Sequence, residues 1–127
     1  MSRRNIDKRY IAKEGFVPTT LRDGSIYYWG EHKPSVDTPI QVRLYEALPN
    51  INFMLHSHVY LEDAPFTKHA VPCGALEEVE EVLNLITDKN VEYFEINLIG
   101  HGCIVFANTV EQIKELKYIS RPMPEVL

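Results

Sequence analysis

A chain of 127 residues with 45% hydrophobic residues can bury one core, so we expect a single domain with residues 1–13 as a peripheral arm. The net charge of −5 argues against nucleic acid or a membrane surface as a partner. Cys73 and Cys103 lie in apolar stretches without a CxxC pair, and no secretory signal is visible. We therefore expect two buried free thiols in a cytoplasmic protein. The basic side chains of the arm are interpreted as solvated: Arg3, Arg4, Lys8 and Arg9.

The first predicted element is a β-hairpin. Residues 16–21 and 25–29 are strand-like, and Asp23-Gly24 between them is typical of a two-residue turn. A helix is then predicted from Thr38, because threonine caps helices and the following proline fits the first helical position.

The second half of the chain alternates strands and helices. Residues 51–58 predict a short apolar strand, and residues 76–86 predict a helix with acidic residues in its first turns. Residues 91–99 and 103–107 predict two more strands, the first of them central in its sheet, and residues 108–116 predict a third helix. This order lacks strict βαβ alternation, so it favours an α/β fold with a mixed, mainly antiparallel sheet covered by helices.

Three histidines form the sharpest chemical feature. Alternate residues of a strand point to the same face, so His56 and His58 can approach one metal ion together. His101 is the best third ligand, because glycines on both sides let the backbone turn tightly and leave the imidazole accessible. The pattern predicts one divalent ion, most naturally zinc. Two ordinary histidines at a strand end remain the alternative.

Asp37 is the second feature, and it has two interpretations. A carboxylate just before a helix stabilises the helix start by itself. The same carboxylate beside a metal ion can serve as a ligand or as a general acid and base. The sequence leaves both open.

Taken in order, these segments resemble the class II aldolase/adducin superfamily, which includes fuculose-phosphate aldolase. The resemblance extends over roughly residues 16–118, and its order, spacing and flanking elements agree together. The matching segments are 33–37 (Lys-Pro-Ser-Val-Asp), 51–58 (ending His-Ser-His), 71–73 (Val-Pro-Cys), 98–102 (Leu-Ile-Gly-His-Gly) and 108–116.

The resemblance implies a fold, a site and a class of reaction. The fold is a three-layer α/β/α arrangement around the sheet. His56, His58 and His101 would bind zinc, Asp37 would stand where the family has a catalytic glutamate, and Ser35 would contact the substrate. The implied activity is aldol cleavage, epimerisation or dehydration of a small hydroxy-ketone or sugar through an enediolate. The relatives also imply a homo-oligomer, most naturally a tetramer.

Other functions and another fold compete with this interpretation. Adducin-like relatives imply a non-catalytic metal-binding or structural oligomeric domain. His56-x-His58 followed by Glu62 also resembles a cupin metal motif, although the expected glycines are missing and the predicted helices suit a barrel badly. An oligomer is further indicated by aromatic residues that one small core has difficulty burying: Tyr10, Phe16, Tyr27, Tyr28, Trp29, Tyr60, Phe66, Tyr93 and Tyr118.

Overall fold

The fold mixes α-helices with small antiparallel sheets, as a computed structural model of residues 1–9 and 11–119 describes it. The α-helices are α1 (Thr38–Ala47) and α2 (Glu77–Leu83), and none in this part of the chain is long and apolar enough to cross a membrane. Short 3-10 helices span Lys13–Gly15 and Val110–Ile113. The strands are β1 (Thr19–Arg22), β2 (Ser25–Tyr28), β3 (Phe53–Ser57), β4 (Tyr60–Leu61), β5 (Tyr93–Leu98), β6 (Gly102–Ala107) and β7 (Tyr118–Ile119).

The main sheet has three strands in the order β3-β6-β5, and both of its pairings are antiparallel. β1 pairs with β2 and β4 pairs with β7, again antiparallel. The predicted α/β class with mainly antiparallel strands is therefore confirmed. Three small sheets are not the closed double sheet that a cupin requires.

One face of the main sheet packs against both helices. Ile40 and Leu44 of α1 and Leu48 directly after it recur every four residues, and all three are fully buried. Burying side chains of this size stabilises the fold by about 1.5–3 kcal/mol each. The rest of this core comes from α2 with the segment after it and from the two strands beneath: Val82, Ile86, Ile96, Leu98, Ile104 and Phe106.

No α-helix covers the opposite face within the described residues, so the predicted three-layer arrangement is not confirmed. Leu61 and Ala64 lie there beside two strand residues, Cys103 and Val105. Asn97 ties this covering segment to the sheet. Its side-chain amide donates to the carbonyls of Leu61 and Ala64, at 2.9 and 3.2 Å, and its oxygen accepts from the Leu61 N–H at 2.8 Å.

The local predictions fared unequally. The hairpin is confirmed, with Asp23 and Gly24 both in the left-handed region that its turn requires. The third helix was wrong. The Gln112 side chain accepts hydrogen bonds from the N–H groups of Asn108 and Thr109, which caps only one 3-10 turn.

The prediction that β5 is central was also wrong, because β6 occupies the middle of the sheet. The outer edge of β5 is nevertheless covered. The Asn97 N–H donates to the Pro65 carbonyl, and the Thr67 N–H donates to the Asn97 carbonyl. β5 has little contrast between its two faces because both are packed, one against the helices and the other against Leu61 and Ala64.

The aromatic residues divide between core and surface. Tyr60 is buried, while Tyr27, Tyr28 and Trp29 of the hairpin are exposed, as is Phe16 before it. Tyr118 is exposed too, Phe66 and Tyr93 are half-buried, and Tyr10 lies outside the described residues. These exposed aromatic residues do not by themselves show an interface, so the homo-oligomer stays a prediction.

Candidate metal centre

The structure brings the three predicted histidines together at one end of the main sheet. The ring centroids of His56 and His58 lie 5.0 Å apart, those of His56 and His101 4.7 Å, and those of His58 and His101 5.3 Å. One ligand atom from each ring lies within 4.8 Å of the others. His56 and His101 are largely buried, whereas His58 faces solvent. Three nitrogens this close can share one ion.

A close backbone contact sets this geometry. His56 lies opposite Ile104, one residue before the end of β3, and His101 lies in the turn just before the central strand. Gly102 has a φ of 153°, and a Cβ added there would lie only 2.0 Å from the Ser57 carbonyl oxygen. Only glycine lets the chain carrying His101 pass this close to the strand carrying the other two histidines.

Hydrogen bonds to Nδ1 orient the two buried rings. His56 Nδ1 donates to the Cys103 carbonyl at 2.9 Å, because a carbonyl can only accept. His101 Nδ1 donates to the Glu78 carboxylate at 3.0 Å. Both Nε2 atoms therefore keep their lone pairs. A hydrogen bond at Nδ1 that fixes the ring in this way is typical of histidines that bind a metal through Nε2. His56 Nε2 is buried without a hydrogen-bond partner among the described residues.

The surroundings of the two buried rings shift their pKa values in opposite directions. Burial lowers the pKa of His56, which favours the neutral imidazole. The hydrogen bond that the His101 ring donates to the Glu78 carboxylate raises the pKa of His101. A metal ion needs neutral imidazoles, so protons compete for this centre chiefly at His101.

Asp37 lies beside the histidines and is buried. Its Oδ2 is 3.7 Å from His56 Nε2. It occupies the position before α1, yet its side chain makes no capping hydrogen bond. Ser35 shapes this segment: its hydroxyl accepts from the Asp37 N–H at 3.3 Å, and its carbonyl accepts from the Thr38 hydroxyl at 2.6 Å. The Asp37 carboxylate is thus held near the centre without serving the helix.

Cys73 belongs to the same cluster, which the sequence did not indicate. The prediction that it is buried was wrong, while Cys103 is buried as expected. Cys73 Sγ lies 3.7 Å from His101 Nε2 and 3.8 Å from Asp37 Oδ1. Asp37, Cys73 and His101 form a second group of donors close enough to hold a metal ion.

Glu78 was also missed, because the acidic residues in the first turns of this helix were interpreted only as favourable to the helix dipole. It is only 4% exposed. A signal did exist, since Glu78, Val82 and Ile86 are spaced four residues apart and all three are buried. A carboxylate on the buried stripe of a helix needs a partner, and His101 is that partner.

A cleft of about 940 Å³ opens beside the centre. Asp37, His56 and Cys73 line it, and Ser35 lies on its wall. The segment 1–4 lines it as well and is fixed by backbone hydrogen bonds to Gly15, Lys33 and Ser35. Its basic lining residues are Arg3, Arg4 and Lys8, and Asp37 is the only acidic one among the described residues.

Comparison of the chain with protein-family models, curated proteins and solved structures found no match. The resemblance to class II aldolases therefore stays a prediction. The described residues do contain groups of nitrogen, oxygen and sulfur donors with the spacing of a metal centre. Such a mixture suits zinc and similar transition metals better than magnesium or calcium, which prefer oxygen.

Proposed function

We propose that this chain is a metal-dependent enzyme of the zinc type that acts on a small hydroxy-ketone through an enediolate. The observation that carries the proposal is the convergence of His56, His58 and His101 around the buried, unpartnered Nε2 of His56. An unsatisfied buried nitrogen costs free energy in the folded protein, and ligation removes that cost. The reaction class, cleavage, epimerisation or dehydration, follows the resemblance to class II aldolases.

The residues present fit a zinc ion. Neutral imidazoles with Nδ1 anchored on a carbonyl or a carboxylate are typical of zinc sites. The bound ion would supply Lewis-acid stabilisation of the negative charge that an enediolate carries. His56 and His101 would hold it from the buried side. His58 is exposed, so a substrate can reach the ion from the cleft.

Asp37 is the proposed proton carrier. Its carboxylate is close to the ligand nitrogens and is not used by α1. It would take the proton from the carbon next to the substrate carbonyl. The electron pair of that C–H bond would form the carbon–carbon double bond of the enediolate, and the π electrons of the carbonyl would move onto its oxygen. It would then return the proton to carbon or to oxygen, depending on the reaction. Ser35 sets the backbone that presents this carboxylate and lies on the substrate side of the cleft.

The cleft favours a substrate with an anionic substituent. Arg3, Arg4 and Lys8 line it, and no ion pair engages them within the described part of the chain. Positive charge of this kind attracts a phosphate or carboxylate group. A homo-tetramer with the three-layer fold of the family completes the proposal, and the exposed aromatic residues of the hairpin support an interface.

The test is proton exchange, which precedes every reaction of this class. Zinc-loaded protein in heavy water should exchange the carbon-bound hydrogens of dihydroxyacetone phosphate, a small hydroxy-ketone with an anionic substituent, for deuterium, as followed by proton NMR. Asp37→Asn should keep zinc and lose at least about 100-fold in exchange rate, the usual contribution of a general base. Glu46→Gln, on the exposed side of α1, is the matched control and should change nothing.

Two results would refute the enzyme. Stoichiometric zinc without exchange in the unaltered protein would favour the non-catalytic, adducin-like metal-binding domain. Exchange that survives Asp37→Asn would remove Asp37 from the mechanism.

A further inference from the structure

We propose that Cys73, as a thiolate, is the fourth protein ligand of the centre when no substrate is bound. The inference rests on the proposed metal centre at His56, His58 and His101. It adds a soft donor that neither the histidine pattern nor the family resemblance implies.

The distances fit a shared ion. In a tetrahedral zinc site with Zn–S near 2.3 Å and Zn–N near 2.0–2.1 Å, ligand sulfur and nitrogen lie roughly 3.6 Å apart. Cys73 Sγ and His101 Nε2 are 3.7 Å apart. This separation suits a weak sulfur hydrogen bond in the metal-free chain, and it is also close to that of two ligands on one ion.

Cys73 also approaches from the required direction. His56 and His101 are anchored in the buried part of the centre, while Cys73 is exposed and lines the cleft in front of it. The turn at Gly74, with a φ of 81°, follows directly and directs the loop back toward α2. The thiol thus stands on the cleft side of the centre, in one donor group with Asp37 and His101.

The surrounding charge demands a cation. Cys73 Sγ is 3.8 Å from the Asp37 carboxylate, and Glu78 lies behind His101. A thiolate next to carboxylates is unfavourable unless a positive ion lies between them, and a bound metal ion provides that charge.

Cys73 as a ligand has two consequences. Asp37 stays off the ion and remains available as the proton carrier. The soft sulfur also shifts the preference of the centre toward zinc and cobalt and away from magnesium and manganese.

Cobalt(II) is the probe. The metal-free full-length protein is loaded with one equivalent of cobalt(II), and its absorption spectrum is recorded. A thiolate ligand should give a strong near-ultraviolet charge-transfer band next to the visible bands of a tetrahedral ion. Cys73→Ser should lose the near-ultraviolet band while retaining bound cobalt. Cys103→Ser is the matched control and should keep the band, because Cys103 lies buried on the other face of the sheet.

The outcomes separate the two proposals. Stoichiometric cobalt with no thiolate band in the unaltered protein would overturn the role of Cys73 and leave the histidine centre intact. A band that disappears in Cys103→Ser and survives in Cys73→Ser would also overturn it. Failure to bind cobalt or zinc at all would refute the proposed metal centre together with its fourth ligand.

Discussion

Two buried polar side chains on the main sheet, Asn97 and His56, show contrasting solutions to the same problem. Asn97 is fully buried on the face without helices, and its amide satisfies three backbone groups of the covering segment. His56 lies on the helix face, and its Nε2 is buried with no hydrogen bond in the described structure. Because an unpaired buried polar atom is costly, a fold keeps one when something outside the chain completes it.

The difference separates architecture from function. The Asn97 side chain is already paired with backbone groups of the same chain, so it fixes a loop and has no group left for a ligand. The histidine cluster converges without closing, and Asp37 and Cys73 add two more donors. Replacing Asn97 should therefore lower the stability of the fold, whereas replacing the histidines should remove the metal ion.

The largest expected effect is the complete loss of metal when His56 and His58 are both replaced by alanine. Zinc content, measured by elemental analysis, should fall from one ion per chain to none, because the double replacement removes two of the four proposed ligands and zinc sites use at least three protein ligands. The control is His32→Ala with His69→Ala, two exposed histidines outside the cluster. Zinc retained by the first pair would refute the assignment.

The second effect concerns the Asn97 region. Asn97→Ala should lower the free energy of unfolding by about 3 kcal/mol or more, because the Leu61 N–H and two carbonyls lose their partner in the interior. Chemical denaturation of the metal-free protein measures it. Asn84→Ala, at an exposed position, should change stability by less than about 0.5 kcal/mol. Equal stability in the two variants would mean that the Asn97 hydrogen bonds do not stabilise the fold.

The third effect tests the partner of a ligand. Glu78→Gln should weaken zinc binding by about 10–100-fold, as is usual when the hydrogen-bond partner of a metal ligand is altered. Competition with a chromophoric chelator gives the ratio of dissociation constants. Glu77→Gln, an exposed neighbour on the same helix, should bind zinc normally. If the two variants bind alike, the hydrogen bond to His101 has no role in holding the ion.

The smallest effect is a separation of two pKa values in the metal-free protein. The pKa of His101 is raised by Glu78, so its stabilisation is present below the ordinary histidine pKa and is lost as pH rises through the raised value. The pKa of His56 is lowered by burial, so its contribution is present above the ordinary value and is lost as pH falls through the lowered one. NMR titration of the ring protons should show His101 titrating at higher pH than His56. Glu78→Gln should narrow this separation, and a reversed order would contradict the assigned causes.

The sequence predicted those parts of the site that depend on local pattern. Strand alternation placed His56 and His58 on one side, and the glycines around His101 indicated a tight turn. The proximity of Asp37 to these residues came from the family resemblance, and the structure places it there.

The remaining parts depend on packing between distant segments. Cys73 sits in a loop without periodicity, so no local rule could predict its exposure or its neighbours. Glu78 becomes a partner of His101 only because α2 packs beside the turn. The third helix, predicted over residues 108–116, failed for a related reason: a capping box does form, from Thr109 and Gln112, but it is followed by only one 3-10 turn. A short apolar pattern after it was not enough to extend one turn into an α-helix.

The Glu78–His101 hydrogen bond also bears on how long an ion would stay bound. α2 has only seven residues, too few to be stable without the contacts it makes with the sheet. Short helices of this kind open locally far more often than whole domains unfold. Each opening would withdraw Glu78 from His101 and loosen the ring. We therefore expect the dissociation rate of the ion to follow the opening rate of α2, so that slow metal release and slow amide exchange in this helix occur together.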